Sequence, residues 1–245
     1  MQARMGSTRL PGKVLLKVKG VPLLQYELSR VRLAKEIDAI VVATTTEKQD
    51  DAIEKLCKKI RIDCFRGSNE DVLDRYYQCS LQYPTYRSIV RITGDCPLHD
   101  PVVADETIRL FKKSGCDYAC NILRETFPDG MDTEVFTQTA LAESAARAEL
   151  RSEREHVTLY IRNQEKFKKE NLAAPYAFSH FRFTVDNPED FEVVKFLIEG
   201  SSLDAQYLDY ISLLTKYPHI MMQNMHIKRN EGLAKSLCED RVLRQ

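Results

Sequence analysis

The chain has 245 residues, 43% hydrophobic and 29% charged, which suits an ordinary soluble protein of one large or two small domains. Lys plus Arg and Asp plus Glu both total 36, so the formal net charge is zero. That balance speaks against broad electrostatic capture of nucleic acid or an anionic membrane, and local clusters must carry any phosphate binding. No run approaches the roughly 18 apolar residues of a membrane helix. The start, Met1-Gln2-Ala3-Arg4-Met5, lacks a secretory apolar region. With seven scattered cysteines read as reduced thiols, this predicts a cytoplasmic protein.

In chain order, the run Ala39–Thr44 predicts a strand buried on both faces. Between Asp50 and Ile60, the residues Ala52, Ile53, Leu56, Cys57 and Ile60 form one helical stripe. Ile62–Phe65 predicts a second strand. Ser68 or Asn69 caps a helix whose apolar face holds Val72, Leu73, Tyr76 and Tyr77. Ser88–Thr93 reads as a third strand, and Pro101 opens a helix to about Lys113. Asp117–Asn121 and Thr133–Phe136 read as strands flanking the turn Pro128-Asp129-Gly130. Ser152 to Glu155 has capping-box spacing and starts a helix toward Asn163. Phe181–Asp186 alternates like a strand, a helix follows to about Ile198, and Asp204–Tyr217 is helical again. The stretch His226 to Gln245 is basic and polar and is expected on the surface. Strands and helices alternating at this spacing predict a mainly parallel sheet covered on both faces, with chemistry in the loops after Thr44, Phe65 and Thr93.

Four segments carry candidate chemistry. Ala3 to Lys13 packs two glycines, three cations and two hydroxyls into eleven residues, which is what a triphosphate cradle requires. It is not a P-loop, because Pro11 interrupts it and Val14 stands where a hydroxyl is needed; a solvated basic loop is the other reading. Thr93-Gly94-Asp95-Cys96-Pro97 places an aspartate at a strand end, suited to a metal or to an ordinary turn. Asp186 sits similarly where a strand gives way to a helix, so that Asp95 and Asp186 together suit Mg²⁺, although a helix cap explains Asp186 alone. Ser152 to Thr158 offers both charge signs and an imidazole for an acidic, hydroxylated substrate, or else a salt-bridged surface helix. Asp129, Asp132 and Glu134 suit sugar hydroxyls or a plain charged turn. The scattered histidines suggest no hydrolase triad.

Taken together, the segments Gln2–Lys13, Ile40–Thr45, Phe65–Ser68, Asp71–Tyr76, Arg91–Leu98, Ser152–Thr158 and Thr184–Asp186 resemble the CMP-sugar synthetase superfamily. Within it they are most similar to the spore coat polysaccharide biosynthesis protein F-like cytidylyltransferases. The resemblance implies a three-layer α/β/α nucleotidyltransferase fold with a mixed, mainly parallel sheet. The chain then divides into a nucleotide-binding half (1–115), an acceptor-binding half (116–200) and a helical extension (201–245). It implies CTP bound by Ala3, Arg4, Gly6, Ser7, Lys13 and Thr93, with Thr44 and Thr45 near the cytosine. Mg²⁺ would lie on Asp95 and Asp186. Arg4, Lys13 and Asp95 would be catalytic, and Asp132, Glu134, Arg154 and His156 would meet the acceptor. The implied reaction is attack of an acceptor oxygen on the α-phosphorus of CTP, with pyrophosphate leaving. A glycosyltransferase on the related fold and a non-catalytic binding paralogue are the competing expectations. Relatives are commonly dimers, and 117–165 is the stretch expected to supply that interface. They also carry several apolar residues before the Gln-Ala-Arg motif, forming a central strand. A chain starting at Met1 either begins farther upstream or lacks most of that strand, which would expose strand edges.

Overall fold

The computed structural model describes residues 1–240. A small hairpin, β1 (Lys17–Val18) and β2 (Val21–Pro22), leads into α1 (Leu23–Val31). Then come β3 (Val41–Thr45), α2 (Asp51–Ile60), β4 (Asp63–Gly67), α3 (Val72–Leu81), β5 (Ser88–Arg91) and α4 (Pro101–Ser114). The second half holds β6 (Tyr118–Cys120), β7 (Glu134–Thr137), α5 (Gln138–Arg147), α6 (Arg151–Glu155), α7 (Leu159–Asn163) and β8 (Lys169–Asn171). Four helices close the described chain: α8 (Pro188–Gly200), α9 (Tyr207–Lys216), α10 (Pro218–Met221) and α11 (Glu231–Cys238).

Local sequence explains the best-defined elements. In α2, Ile53, Leu56 and Cys57 are buried on one stripe, and Arg61 at φ 55° ends the helix so that Ile62 N–H reaches the Cys57 carbonyl at 3.0 Å. The Asp100 carboxylate caps α4 by accepting from Val102 N–H at 2.8 Å, with Pro101 at the first turn. Its other oxygen accepts from Tyr207 N–H at 2.8 Å, which ties α9 to α4. The cap of α3 is Asp71, accepting from Asp74 N–H at 2.8 Å, rather than Ser68 or Asn69; Ser68 Oγ instead accepts from Asp71 N–H.

β3 and β4 pair in parallel, and the second block runs β5-β7-β6-β8, antiparallel except for β6 with β8. Gln2 joins the two blocks, bridging in parallel to Ala43 on one side and to Thr93 on the other. The result is the expected three-layer α/β fold with a mixed sheet. Tyr118, Cys120 and Phe136 pack against α3, α5 and α7 on one face. On the other face Leu98, Val103 and Phe183 pack with α8 and α9, and a third cluster joins Val42 and Ile92 to α1 and α2. Arg30 pins α1 across this face, donating to the carbonyls of Leu98, His99, Leu203 and Ala205. Among the described residues no helix is long and apolar enough to cross a membrane.

Three expectations differ. Phe181–Asp186 forms no strand: Phe183 N–H binds Asp129 O while Val185 N–H binds Asp95 O, so its bonds go to two separate loops and no ladder develops. The expected helix 152–163 breaks into α6 and α7 at Val157, whose φ is 52°; Ser152 is no cap, because its N–H and Oγ both bind Asp240. The tail is not simply a surface segment, since Ser236 is buried and Arg229, with its side chain 11% exposed, is tied to Asp132; residues 241–245 of that expectation lie outside the described residues.

His99 offers a test of this packing. Its ring is fully buried with Nε2 3.0 Å from Thr133 Oγ1, and burial, then the Arg30 charge, push its pKa from 6.5 down to about 3. The unfolded chain therefore binds the extra proton between those values, and this contribution to stability grows as pH rises from 3 to 6.5. In urea titrations across that range, wild type minus His99→Gln should show a positive slope of at most about 1.4 kcal/mol per pH unit. A flat difference would show that His99 is not held neutral.

Candidate active site

The loop from Ala3 to Lys13 is wound about one backbone carbonyl: Ser7 and Gly12 N–H both donate to Met5 O, at 2.9 and 3.0 Å. Gly12 sits at φ 70°, a conformation other residues rarely adopt. Met5 N–H in turn donates to Asp50 at 2.6 Å, and Asp50 also accepts from the Thr45 hydroxyl. Asp50, just before α2, thus fastens the loop to the end of β3. The loop closes in a 3₁₀ turn at Lys13–Leu15, which buries Lys13.

Lys13 Nζ lies 2.8 Å from Asp95 Oδ2 and 2.8 Å from Asp186 Oδ1. Three segments far apart in sequence meet there for identifiable reasons. A Cβ on Gly94 would stand 2.9 Å from the Gln2 carbonyl oxygen, so only glycine lets the Thr93–Asp95 turn approach the first loop. Val185 N–H then donates to Asp95 O at 2.8 Å, which sets Asp186 beside Asp95. Burial alone would raise the Asp95 carboxyl, but the Lys13 charge and hydrogen bonds outweigh it and bring it to about 2. Burial likewise works against the Lys13 ammonium, and the two aspartates reverse it.

A buried polar scaffold holds Asp186. Arg182 donates to Asp186 Oδ2 at 2.9 Å, to Asp190 at 2.8 Å and to Asp129 at 2.5 Å. Asp190 accepts from the backbone N–H groups of Asp186 and Asn187, both at 3.0 Å. Arg229, from the tail, binds Asp132 at 2.5 Å and the Phe127 carbonyl at 3.1 Å.

These elements border a cavity of about 590 Å³. Ala3, Arg4, Gly6, Ser7, Lys13, Thr93, Asp95, Asp186 and His156 all line it. Thr44 and Thr45 do not: both are fully buried, Thr45 on Asp50 and Thr44 with its hydroxyl unpartnered. Three of the expected acceptor residues are also turned away. Glu134 is enclosed by Arg91, Tyr118 and Thr158. Arg154 binds Asp71 at 2.9 and 2.5 Å and the Ala145 carbonyl, serving the join of α3, α5 and α6. Asp132 is taken by Arg229, and burial raises its carboxyl to about 7. His156 alone of that group faces the cavity. Its Nε2 meets Ser236 Oγ at 3.0 Å, and burial brings the ring to about 4, so it is neutral at neutral pH.

The structure adds Arg75, which the sequence reading left without a role. It lines the cavity yet is only 2% exposed, its Nη1 donates to Ser68 O, and its Nε has no partner. Burial and the neighbouring Arg4 charge lower its pKa. A cation on the buried face of a helix was the available signal. The tail contributes Glu231, Gly232 and Lys235 to the cavity wall, and Arg9 bridges Asp186 to Glu231.

Two carboxylate oxygens aimed at one buried cation fit a hard divalent ion in the place where Lys13 Nζ stands. Among the described residues no group of three or more His, Cys, Asp or Glu side chains is placed to hold a metal. An ion held here would take the rest of its shell from water and substrate oxygens, which is the habit of Mg²⁺.

A family model described as Cytidylyltransferase matches residues 1–227. The spore coat polysaccharide biosynthesis protein SpsF of Bacillus subtilis is 37% identical over 228 residues, covering 89% of this chain and 93% of that one. The structure of a cytidylyltransferase from Leptospira borgpetersenii is 38% identical and superposes with a TM-score of 0.87, covering 93% and 97% of the two chains. A CMP:2-keto-3-deoxy-manno-octonic acid synthetase solved with CTP shares the fold, with a TM-score of 0.60 at 17% identity over 81% of this chain and 96% of that one.

The placement of Arg154 gives a clear expectation. Arg154→Ala should lower the unfolding free energy by about 2–3 kcal/mol, the scale of a lost charged hydrogen-bond group, while the folded variant binds CTP as wild type does. Normal stability in urea with weakened CTP binding would return Arg154 to the cavity.

Proposed function

The chain belongs to the cytidylyltransferase family and is a CTP-dependent nucleotidyltransferase, and we propose that it transfers CMP to a sugar acid or sugar-like acceptor in the synthesis of a surface polysaccharide. The observation that carries this reading is the meeting of Lys13, Asp95 and Asp186 at the mouth of the glycine-bearing loop.

In the proposed reaction an acceptor oxygen attacks the α-phosphorus of CTP. The bond from that phosphorus to the bridging oxygen breaks, pyrophosphate leaves, and the acceptor's proton passes to solvent. Asp95 and Asp186 would hold Mg²⁺, which supplies charge neutralisation at the phosphates when bound. Lys13 would exchange its carboxylate partners for phosphate oxygens. Arg4 lines the cavity with no ion-pair partner among the described residues, and it stands beside the half-satisfied Arg75. Asp50 and Asp71 offset the charge of Arg75 only from beyond contact, so two adjacent cations without a contacting carboxylate favour an arriving anion, and a triphosphate meets that demand. Ala3, Gly6, Ser7 and Thr93 would line the nucleotide. Neutral His156 would act toward the acceptor as a hydrogen-bonding group rather than a charge.

Asp95→Asn should reduce CTP-dependent pyrophosphate release at least about 100-fold, the scale of a lost electrostatic contact to the reacting centre, with the fold intact by circular dichroism. Turnover close to wild type would remove Asp95 from the mechanism. Arg75→Ala should weaken CTP binding about 10- to 100-fold, since a charged hydrogen bond contributes about 1.5–3 kcal/mol. Calorimetry showing unchanged affinity would leave Arg75 a purely structural residue.

A further inference from the structure

One wall of the cavity is built by α6 and α11. From α6 and its end come Arg151, Glu155 and His156, and from α11 come Glu231, Gly232 and Lys235. The two helices meet through polar groups. Ser236 of α11 is buried, whereas Leu237 beside it is 49% exposed. The Asp240 carboxylate fixes the far end of this contact, accepting from Ser152 N–H at 2.8 Å and from Ser152 Oγ at 2.9 Å. A helix that buries a hydroxyl in preference to a leucine is placing that hydroxyl for its hydrogen bonds.

Those bonds settle where a proton sits. Ser236 Oγ lies 2.9 Å from Glu155 Oε2, 3.0 Å from the Gly232 carbonyl oxygen and 3.0 Å from His156 Nε2. The hydroxyl has one proton to donate. A carboxylate and a carbonyl oxygen only accept, so the proton goes to one of them, the carboxylate being the stronger acceptor. Were it given to His156 instead, lone pairs of Ser236 and Glu155 would face each other at 2.9 Å with nothing between them. His156 Nε2 therefore carries a hydrogen and donates it to Ser236 Oγ. Burial keeps the ring neutral at neutral pH, and a neutral imidazole has a single N–H, so Nδ1 is bare. Nδ1 has no hydrogen-bond partner among the described residues, and the ring lines the cavity.

We propose that Ser236, backed by Glu155, is a positioning residue of the active site. It holds His156 with a lone pair on Nδ1, which receives a hydroxyl of the sugar-like acceptor and repels a carboxylate or phosphate oxygen. Ser236 thereby shapes the choice of acceptor without touching it. The inference rests on the acceptor role given to His156 above. It adds the chemical sense of that contact: the ring takes a hydrogen bond from the acceptor and does not give one.

The test is nitrogen NMR of the full chain carrying isotope-labelled histidine, because the two nitrogens of a neutral ring differ in chemical shift according to which bears the hydrogen. The His156 signals are those lost in His156→Gln. In the wild type at neutral pH, Nε2 should be protonated and Nδ1 bare. Ser236→Ala should move both signals toward the average of exchanging tautomers. Ser236→Thr, which keeps the hydroxyl, should leave them near the wild-type positions. With CTP, Mg²⁺ and 2-keto-3-deoxy-manno-octonic acid as the sugar acid, Ser236→Ala should raise KM for the acid about 10-fold, the scale of one lost hydrogen bond, and leave KM for CTP unchanged. A wild-type ring protonated on Nδ1, or on both nitrogens, overturns the proposal. So do wild-type nitrogen signals in folded Ser236→Ala, or an equal rise in both KM values. If that acid releases no pyrophosphate, the loss falls on the proposed substrate class, and the nitrogen signals still decide the role of Ser236.

Discussion

One ammonium between two carboxylates holds three separate parts of this chain in register. Lys13 arrives from a glycine-bearing loop, Asp95 from the turn after β5, and Asp186 from the segment before α8. Each group would be unfavourable where it stands if alone, because burial opposes the charged form of both Lys13 and Asp95. Together they are stable, and removing one strands the others. The same balance makes the arrangement exchangeable. A divalent cation satisfies the carboxylates better than an ammonium does, and phosphate oxygens satisfy the ammonium in turn. A resting ion pair of this kind keeps the proposed metal and phosphate ligands correctly placed before either arrives.

Around that centre the charges are graded by how fully they are satisfied. Arg182 is spent on Asp129, Asp186 and Asp190, and Asp190 on Arg182, Asn224 and two backbone amides. These groups have no capacity left for a ligand, so they serve as scaffold. Arg4 and Arg75 lie at the opposite extreme, lining the cavity with donors unspent. A formally neutral chain can therefore bind a highly charged nucleotide, because its cations differ in what already neutralises them. The tail takes part in both classes. Arg229 is held by Asp132 away from the cavity lining, while Lys235 stands on the cavity wall.

Much of this could be read from the sequence where the signal was local. Glycine, cations and hydroxyls within Ala3–Lys13, and a short β-rich run before Thr93-Gly94-Asp95, are properties of contiguous residues, and the crevice rule for parallel strands placed them together. Three of the four expected acceptor residues are engaged away from the cavity for the complementary reason. Arg154 and Glu134 have the same chemistry whether they face a ligand or an ion partner, and their partners Asp71 and Arg91 lie 83 and 43 residues away. Arg229 was hidden in the same manner, its partner lying 97 residues back in the chain. Phe181–Asp186 alternated correctly for a strand, yet its neighbours are two loops, and periodicity carries no information about what lies alongside.

The sheet shows how support and chemistry are linked through very few residues. Gln2 is the bridge between the β3–β4 pair and the four-stranded block, and the next residue already belongs to the loop that leads to Lys13. The carbonyl of Gln2 accepts from Gly94 N–H at 2.7 Å, directly before Asp95. The two sides of the ion pair are therefore anchored at one residue: the loop bearing Lys13 follows Gln2 in the chain, and the turn bearing Asp95 hangs on its carbonyl.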